Sequence, residues 1–160
     1  MSIPDNHLVD ATLLTADGMV ELFEIQTLSN TLLRFKSDNT VTYLGNLYEG
    51  MAVELKGAGR SSDEQVKRPS LTIVNPEGVL SQRIANGEFE FARVYRRRIL
   101  YQDMLNNINR YQEEMWLITH CSALNRVTAS FELRSPSDRF NTILPARMFI
   151  LPEFPLVTLQ

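Results

Sequence analysis

The stretch W-L-I-T-H-C-S-A-L-N-R-V-T-A-S-F-E-L-R-S-P, Trp116 to Pro136, sets the tightest limit on what this chain can fold into. Trp116, Ile118 and His120 share one parity, and Leu117, Thr119 and Cys121 the other. Further on, Val127, Ala129, Phe131 and Leu133 alternate with Thr128, Ser130, Glu132 and Arg134. A period of two belongs to a strand and sends the two sets to opposite faces of a sheet. The polar set predicts an antiparallel sheet with one wet face. Ser122 to Asn125 has the length of a hairpin loop. Ser135-Pro136 ends the second strand, because proline has no N–H for the ladder. This hairpin is expected near the centre of the core, and nothing in it looks catalytic.

Taken in order, the chain keeps returning to short strands. Pro4 to Ala16 predicts a short helix capped by Asp5 or Asn6 and ended by Gly18. Met19–Ile25 reads as a strand buried on much of both faces, since its apolar parity switches at Phe23. Thr31–Lys36 is a second strand, followed by the turn triplet Ser37-Asp38-Asn39. Gly45-Asn46 predicts a two-residue hairpin between Val41–Leu44 and Leu47-Tyr48. Met51–Leu55 continues the sheet. Gly57–Lys67 is polar and glycine-rich, an exposed loop or a hairpin tip that orders against a neighbouring subunit.

Arg68-Pro69 opens a strand at Ser70–Val74 with Leu71 and Ile73 on one face. Asn75 as N-cap, Pro76 in the first turn and Gly87 past the end punctuate a helix carrying Leu80 and Ile84. Glu88–Tyr101 predicts a long strand with a bulge near Phe91. Asp103–Glu114 reads as a loop with room for one helical turn. The tail after Pro136 is apolar from Ile143 to Leu151 and broken by Pro145, Pro152 and Pro155. About nine strands and one or two short helices make the expected fold mainly β, a sandwich or partly closed barrel with a helix packed on it. Residues 1–160 form one domain, with 1–18 and 145–160 as candidate contact arms.

Composition excludes more than it selects. A chain of 160 residues can bury one core of its own. No apolar run reaches the roughly 18 residues of a membrane helix. M-S-I-P-D-N-H lacks the basic start and apolar run of a signal peptide, so synthesis in a cytoplasm is the default expectation. One cysteine allows neither a disulfide framework nor a cysteine metal cage. Adjacent His120 and Cys121 on a strand face opposite ways and cannot share a proton as a nucleophile and base must. Cys121 reads as a small buried residue and His120 as a sheet residue. No phosphate cradle, dinucleotide fingerprint or nucleophile elbow occurs. The sequence therefore nominates no catalytic, cofactor-binding or metal-ligating residue. Arg93, Arg96, Arg97 and Arg98, with Tyr95 and Tyr101, form the one concentrated charge cluster. They could hold a phosphate backbone, or pair with acidic neighbours, or face water. A net charge of −3 gives no bulk attraction to nucleic acid.

The order of these segments resembles the minor tail protein L family of lambda-like, long-tailed phages. V-E-L-F-E-I from Val20, V-T-Y-L-G-N-L-Y from Val41, R-P-S-L-T-I-V-N from Arg68 and A-R-V-Y-R-R from Ala92 carry the likeness. It is strongest through the central hairpin and L-P-A-R-M at Leu144. The resemblance implies a virion component of the distal tail tip, or baseplate, with a core similar to the β-rich tail-tube fold. It implies a ring that joins the distal tail ring protein to a central hub or tail-fibre protein. A trimer is the first expectation and a hexamer the second, because tails of the family are sixfold above and threefold at the tip. The alternative is a small β-rich binding module, taking nucleic acid through Arg93–Arg98. The family typically carries a cysteine-rich C-terminal region with an iron–sulfur cluster, whereas this sequence stops at Leu159-Gln160 with Cys121 alone. A cluster needs about four cysteine ligands. Purified chain of this sequence is therefore expected to be colourless and iron-free; a brown preparation with visible absorption would contradict the reading.

Overall fold

The computed structural model describes residues 4–10, 17–57 and 68–136. Among these residues lie nine strands: β1 Met19–Gln26, β2 Leu32–Lys36, β3 Val41–Tyr43, β4 Asn46–Gly50, β5 Val53–Lys56, β6 Ser70–Val74, β7 Arg93–Leu100, β8 Gln112–Leu124 and β9 Thr128–Arg134. Three short α-helices, α1 Asp5–Asp10, α2 Ser81–Ala85 and α3 Tyr101–Leu105, and one 3-10 turn, Pro76–Gly78, accompany them. Residues 11–16 of the predicted N-terminal helix, most of the glycine-rich loop (58–67) and the tail from 137 lie outside the described residues.

The strands form one sheet in the order β3-β4-β2-β1-β7-β8-β9-β6-β5. All neighbours are antiparallel except β2 and β4, which run parallel. The connection from β4 to β5 decides its shape. These strands hold the second and ninth places in the order, yet only Met51 and Ala52 separate them in the chain. Three Cα steps reach at most roughly 11 Å, so the sheet must curl until its two ends meet. The dipeptide is bonded to both ends: Met51 N–H donates to Lys36 O at 2.8 Å, and Ala52 O accepts from Val74 N–H at 3.1 Å. Gly50 permits the closure, because a Cβ there would sit 2.5 Å from Asp38 O. The fold is thus mainly β, a partly closed barrel, as expected.

Closure creates one interior. Phe23 and Ile25 of β1, Phe35 of β2, Leu71 and Ile73 of β6, Val94 of β7, Trp116 and Ile118 of β8, and Ala129, Phe131 and Leu133 of β9 are buried together. Leu80 and Ile84, at the start and in the body of α2, join this core, and Phe89 stacks on Phe131 with centroids 5.4 Å apart. A second, smaller cluster of Leu22, Tyr43, Tyr48, Ile99 and Met104 lies on the other face of β1 and β7. The β3–β4 hairpin and α3 supply its cover. β1 therefore buries residues on both faces, which explains the parity switch at Phe23.

Several boundaries differ from the sequence reading, each for a local reason. The central hairpin turns at Asn125–Val127, not Ser122–Asn125. Register shifts at Ile118/His120 and Cys121/Ala123 lengthen β8, and Asn125 Oδ1 closes the turn by accepting from Val127 and Thr128 N–H. Val127 is accordingly exposed rather than in the core. The β3–β4 turn is Leu44-Gly45, not Gly45-Asn46, with φ of 50° and 75°. Both values are positive, as a type I′ turn requires, and Leu44 N–H is held by Asn107 Oδ1 at 3.3 Å. The predicted helix after Asn75 is split, because Glu77 at φ 55° interrupts it. Buried Asn75 instead accepts from Leu80 N–H at 2.8 Å and donates to Asn125 O at 3.0 Å. Gly87 ends α2 as foreseen: its N–H reaches Ile84 O and that of Glu88 reaches Arg83 O, a Schellman pair.

Glu88–Ala92 is turn rather than strand. Phe91 N–H donates to Ile118 O while Ile118 N–H donates to Ala92 O, so two residues face one and the expected bulge is present. Tyr101 leaves the strand to begin α3, its N–H donating to Gly18 O at 2.7 Å, so Gly18 lies against the sheet. Gln112–Glu114, expected in a loop, belong to β8. Asn75 ties β6, the α2 segment and the central hairpin together. Asn75→Ala is therefore expected to lower unfolding free energy by about 2–4 kcal/mol in urea melts, since it strands buried partners; a loss below about 0.5 kcal/mol would contradict this role.

Candidate functional site

The arginine-rich strand was the only charged constellation nominated by the sequence, and the fold places it in the middle of the wall. β7 is flanked by β1 and β8, both of which carry glutamates in register. Cα pairing sets Arg96 opposite Glu114 and Arg97 opposite Glu113, with Arg98 opposite Glu21 on the other side. Alternation then separates the arginines by face.

Arg96 and Arg98 share the parity of core residue Val94. Arg96 donates from Nε to Glu114 Oε2 at 3.1 Å and from Nη1 to Glu21 Oε1 at 3.4 Å. Its guanidinium lies 5.4 Å from the centroid of Trp116. Arg98 donates to the other Glu114 oxygen. Glu114 thus bridges two arginines. Arg97 shares the parity of Ile99 and the second cluster. It donates from Nε to Glu113 Oε2 at 2.7 Å, and from Nη1 to Tyr48 Oη at 3.0 Å and Glu24 Oε2 at 3.4 Å. Glu24 also accepts from Arg34 Nε at 2.8 Å, and Arg97 stands 5.3 Å from the centroid of Tyr111.

The side chains of Arg96, Arg97 and Arg98 are 12%, 19% and 27% exposed. Charged groups this far from water need such partners, and a bridging carboxylate supplies them. Bonds to Glu113, Tyr48 and Glu24 hold the Arg97 guanidinium well above its usual range against the desolvation that would lower it. Arg93 differs, being exposed. The four arginines do not form one surface.

His120 and Cys121 pair with Glu132 and Phe131 respectively, on opposite faces as the parity requires. His120 is exposed, with Nε2 3.5 Å from Glu132 Oε2. Cys121 is half-buried rather than fully buried. Burial pushes its thiol up, and Sγ donates to Ala123 O at 3.4 Å, which keeps it protonated and a poor nucleophile. A hollow of about 40 Å³ borders both residues, with room for little more than a water. Among the described residues no group of three or more His, Cys, Asp or Glu is placed to hold a metal ion. No helix among them is long and apolar enough to cross a membrane.

A second feature escaped the sequence reading. At the end of the wall where β1 stops, an open groove of about 210 Å³ is lined by Gln26, Thr27, Leu28, Asn30, Phe91 and Arg93. Phe91 is 50% exposed and Leu28 74% exposed. Phe91 has φ 58°, a conformation costly for a bulky residue. The bulge was legible, but not that it turns an aromatic ring outward.

Tyr43 and Tyr48 close the second cluster, and burial raises both phenols above their usual value near 10. The folded chain therefore holds these protons more tightly than the unfolded chain. Their stabilising contribution is complete below about pH 10 and is lost as pH rises through the folded values. Denaturant melts between about pH 9 and 11 should show a steeper decline for the parent chain than for the Tyr43→Phe, Tyr48→Phe double variant. Equal slopes would contradict this assignment.

Comparison with known proteins places this geometry. Residues 26–154 match the family model for phage minor tail protein L. The tail tip protein L of Escherichia phage lambda is 30% identical over an alignment covering 69% of this chain and 52% of that protein. A chain from the virion of a native gene transfer agent particle superposes with a TM-score of 0.60 at 11% identity, covering 84% of this chain and 46% of the other. At that identity the likeness concerns the fold alone. The present chain spans about half the length of each.

Proposed function

Because the chain belongs to the phage minor tail protein L family, we propose that it acts at the distal tail tip, in a ring joining the end of the tail tube to the central hub or host-recognition protein. The chain is a structural component of a phage tail and a virion protein. The finer reading rests on where the wall spends its charge. Arg96, Arg97 and Arg98 are engaged by Glu21, Glu24, Glu113 and Glu114 inside the sheet. That leaves no contiguous basic stripe on β7, which counts against the nucleic-acid alternative. What remains available is turns and rims, the parts a ring subunit offers to its neighbours.

The role proposed is assembly without catalysis. Its partners are further copies of itself, the distal tail ring protein and the hub or tail-fibre protein. Trimer is the favoured stoichiometry and hexamer the alternative. Residues 1–18 and 145–160, flanking one domain, are the proposed contact arms. Quantitative mass spectrometry of purified virions should find the chain at three copies per particle, or six, in fixed ratio to the other tail proteins. Its absence from virions, or a variable copy number, would contradict the proposal. The free chain should show no salt-dependent retardation of duplex DNA at low ionic strength.

A further inference from the structure

We propose that the groove at Leu28, Phe91 and Arg93 is the seat for the proline-punctuated C-terminal arm of a second copy of this chain. The inference deepens the ring reading and rests on it.

The groove is small. Ligand pockets usually enclose roughly 300–1,000 Å³; about 210 Å³, open to one side, suits one or two side chains of a peptide. Its apolar members are Leu28 and Phe91, beside the polar Gln26, Thr27 and Asn30, and its charged member is the exposed Arg93. The Phe91 ring, at φ 58° with the Arg134 guanidinium 5.5 Å from its centroid, remains half exposed and suits a surface completed by a partner.

The sequence outside the described residues has the matching chemistry. M-F-I-L-P-E-F-P-L-V-T-L-Q, Met148 to Gln160, has one charged side chain, Glu153, set between Leu151-Pro152 and Phe154-Pro155. An acidic residue flanked by large apolar ones complements an arginine flanked by Phe91 and Leu28. Pro152 and Pro155, three positions apart in P-E-F-P, fix φ at two positions, so such a segment gives up less freedom on docking.

Register argues for a second copy rather than the same chain. Gln26, Arg93, Leu117 and Arg134 lie in one row across β1, β7, β8 and β9. The groove is beyond that row, toward Leu28 and Phe91. After Arg134 the antiparallel register carries the chain the other way, past Trp116. The described chain therefore leaves at Pro136 on the side of this row away from the groove, and a contact between copies is the head-to-tail arrangement from which closed rings are built.

The test uses the full chain in a Cys121→Ala background. One preparation carries Leu28→Cys and another Phe154→Cys; they are mixed, oxidised and run without reductant. A heterodimeric cross-link is expected, and its yield should fall about three-fold with Arg93→Glu, the scale of an exposed ion pair. It should recover when Glu153→Arg is added on the arm. A Leu28→Cys, Phe154→Cys chain that cross-links only within itself overturns the inference. If native mass spectrometry shows an assembled oligomer and no mixed cross-link forms, the groove assignment fails while the ring stands. A monomer at every concentration with no cross-link removes both.

Discussion

The structure depends on how three neighbouring strands settle their charge. β7 brings Arg96, Arg97 and Arg98 into the middle of a nine-stranded wall. Unpaired, these guanidiniums would make that position untenable, since each stands mostly out of water. β1 and β8 supply the carboxylates from both sides, and alternation shares them between the two faces. Glu114 holds Arg96 and Arg98 on the barrel side; Glu113 and Glu24 hold Arg97 on the other. Partners set three residues apart on β1, Glu21 and Glu24, can serve opposite faces only because the strand is extended.

This lattice also fixes what the rest of the wall must do. With β7 flanked on both sides, the strand order runs outward to the β3–β4 hairpin at one end and β5 at the other. The two-residue link through Met51-Ala52 then forces those ends together. Closure leaves few ladder groups free in the wall. Among the described residues, turns and short outer strands such as β3 are what the wall leaves outside its ladder. Such a division, a stiff body that does not pair promiscuously, suits a structural component of a phage tail.

Much of this was legible in the residues. All nine strands were foreseen in outline, because period-two alternation survives wherever one face is buried and the other is polar. Gly87 was correctly read as a helix end and has the left-handed φ that role requires, whereas Asn75, expected as a helix N-cap, makes no cap bond and is held instead by buried bonds to Leu80, Ser81 and Asn125. Misreadings cluster where tertiary contacts override local pattern. The turn at Asn125 moved because two register shifts in β8 cannot be seen from parity alone. The helix after Asn75 broke at Glu77 because the Asn75 side chain reaches Leu80, five residues along. The β3–β4 turn slid by one because Asn107, sixty-three residues away, holds Leu44. Likewise the arginine cluster was visible as composition, but its partners were not. Glu21, Glu24, Glu113 and Glu114 are scattered in sequence and meet only once the strand order is known. The groove at Phe91 had no sequence signal beyond the bulge.

The claim that this lattice is structural, and not a surface for polyanions, is most directly tested by a double-mutant cycle on its bridging pair. Unfolding free energies would be measured for the parent chain, Arg96→Met, Glu114→Gln and the double variant. Each single change is expected to destabilise by about 2–3 kcal/mol, with the double variant about 1–2 kcal/mol better than their sum, because the second change removes a charge the first had stranded. Strict additivity, with each single change within about 0.5 kcal/mol of the parent, would contradict the account.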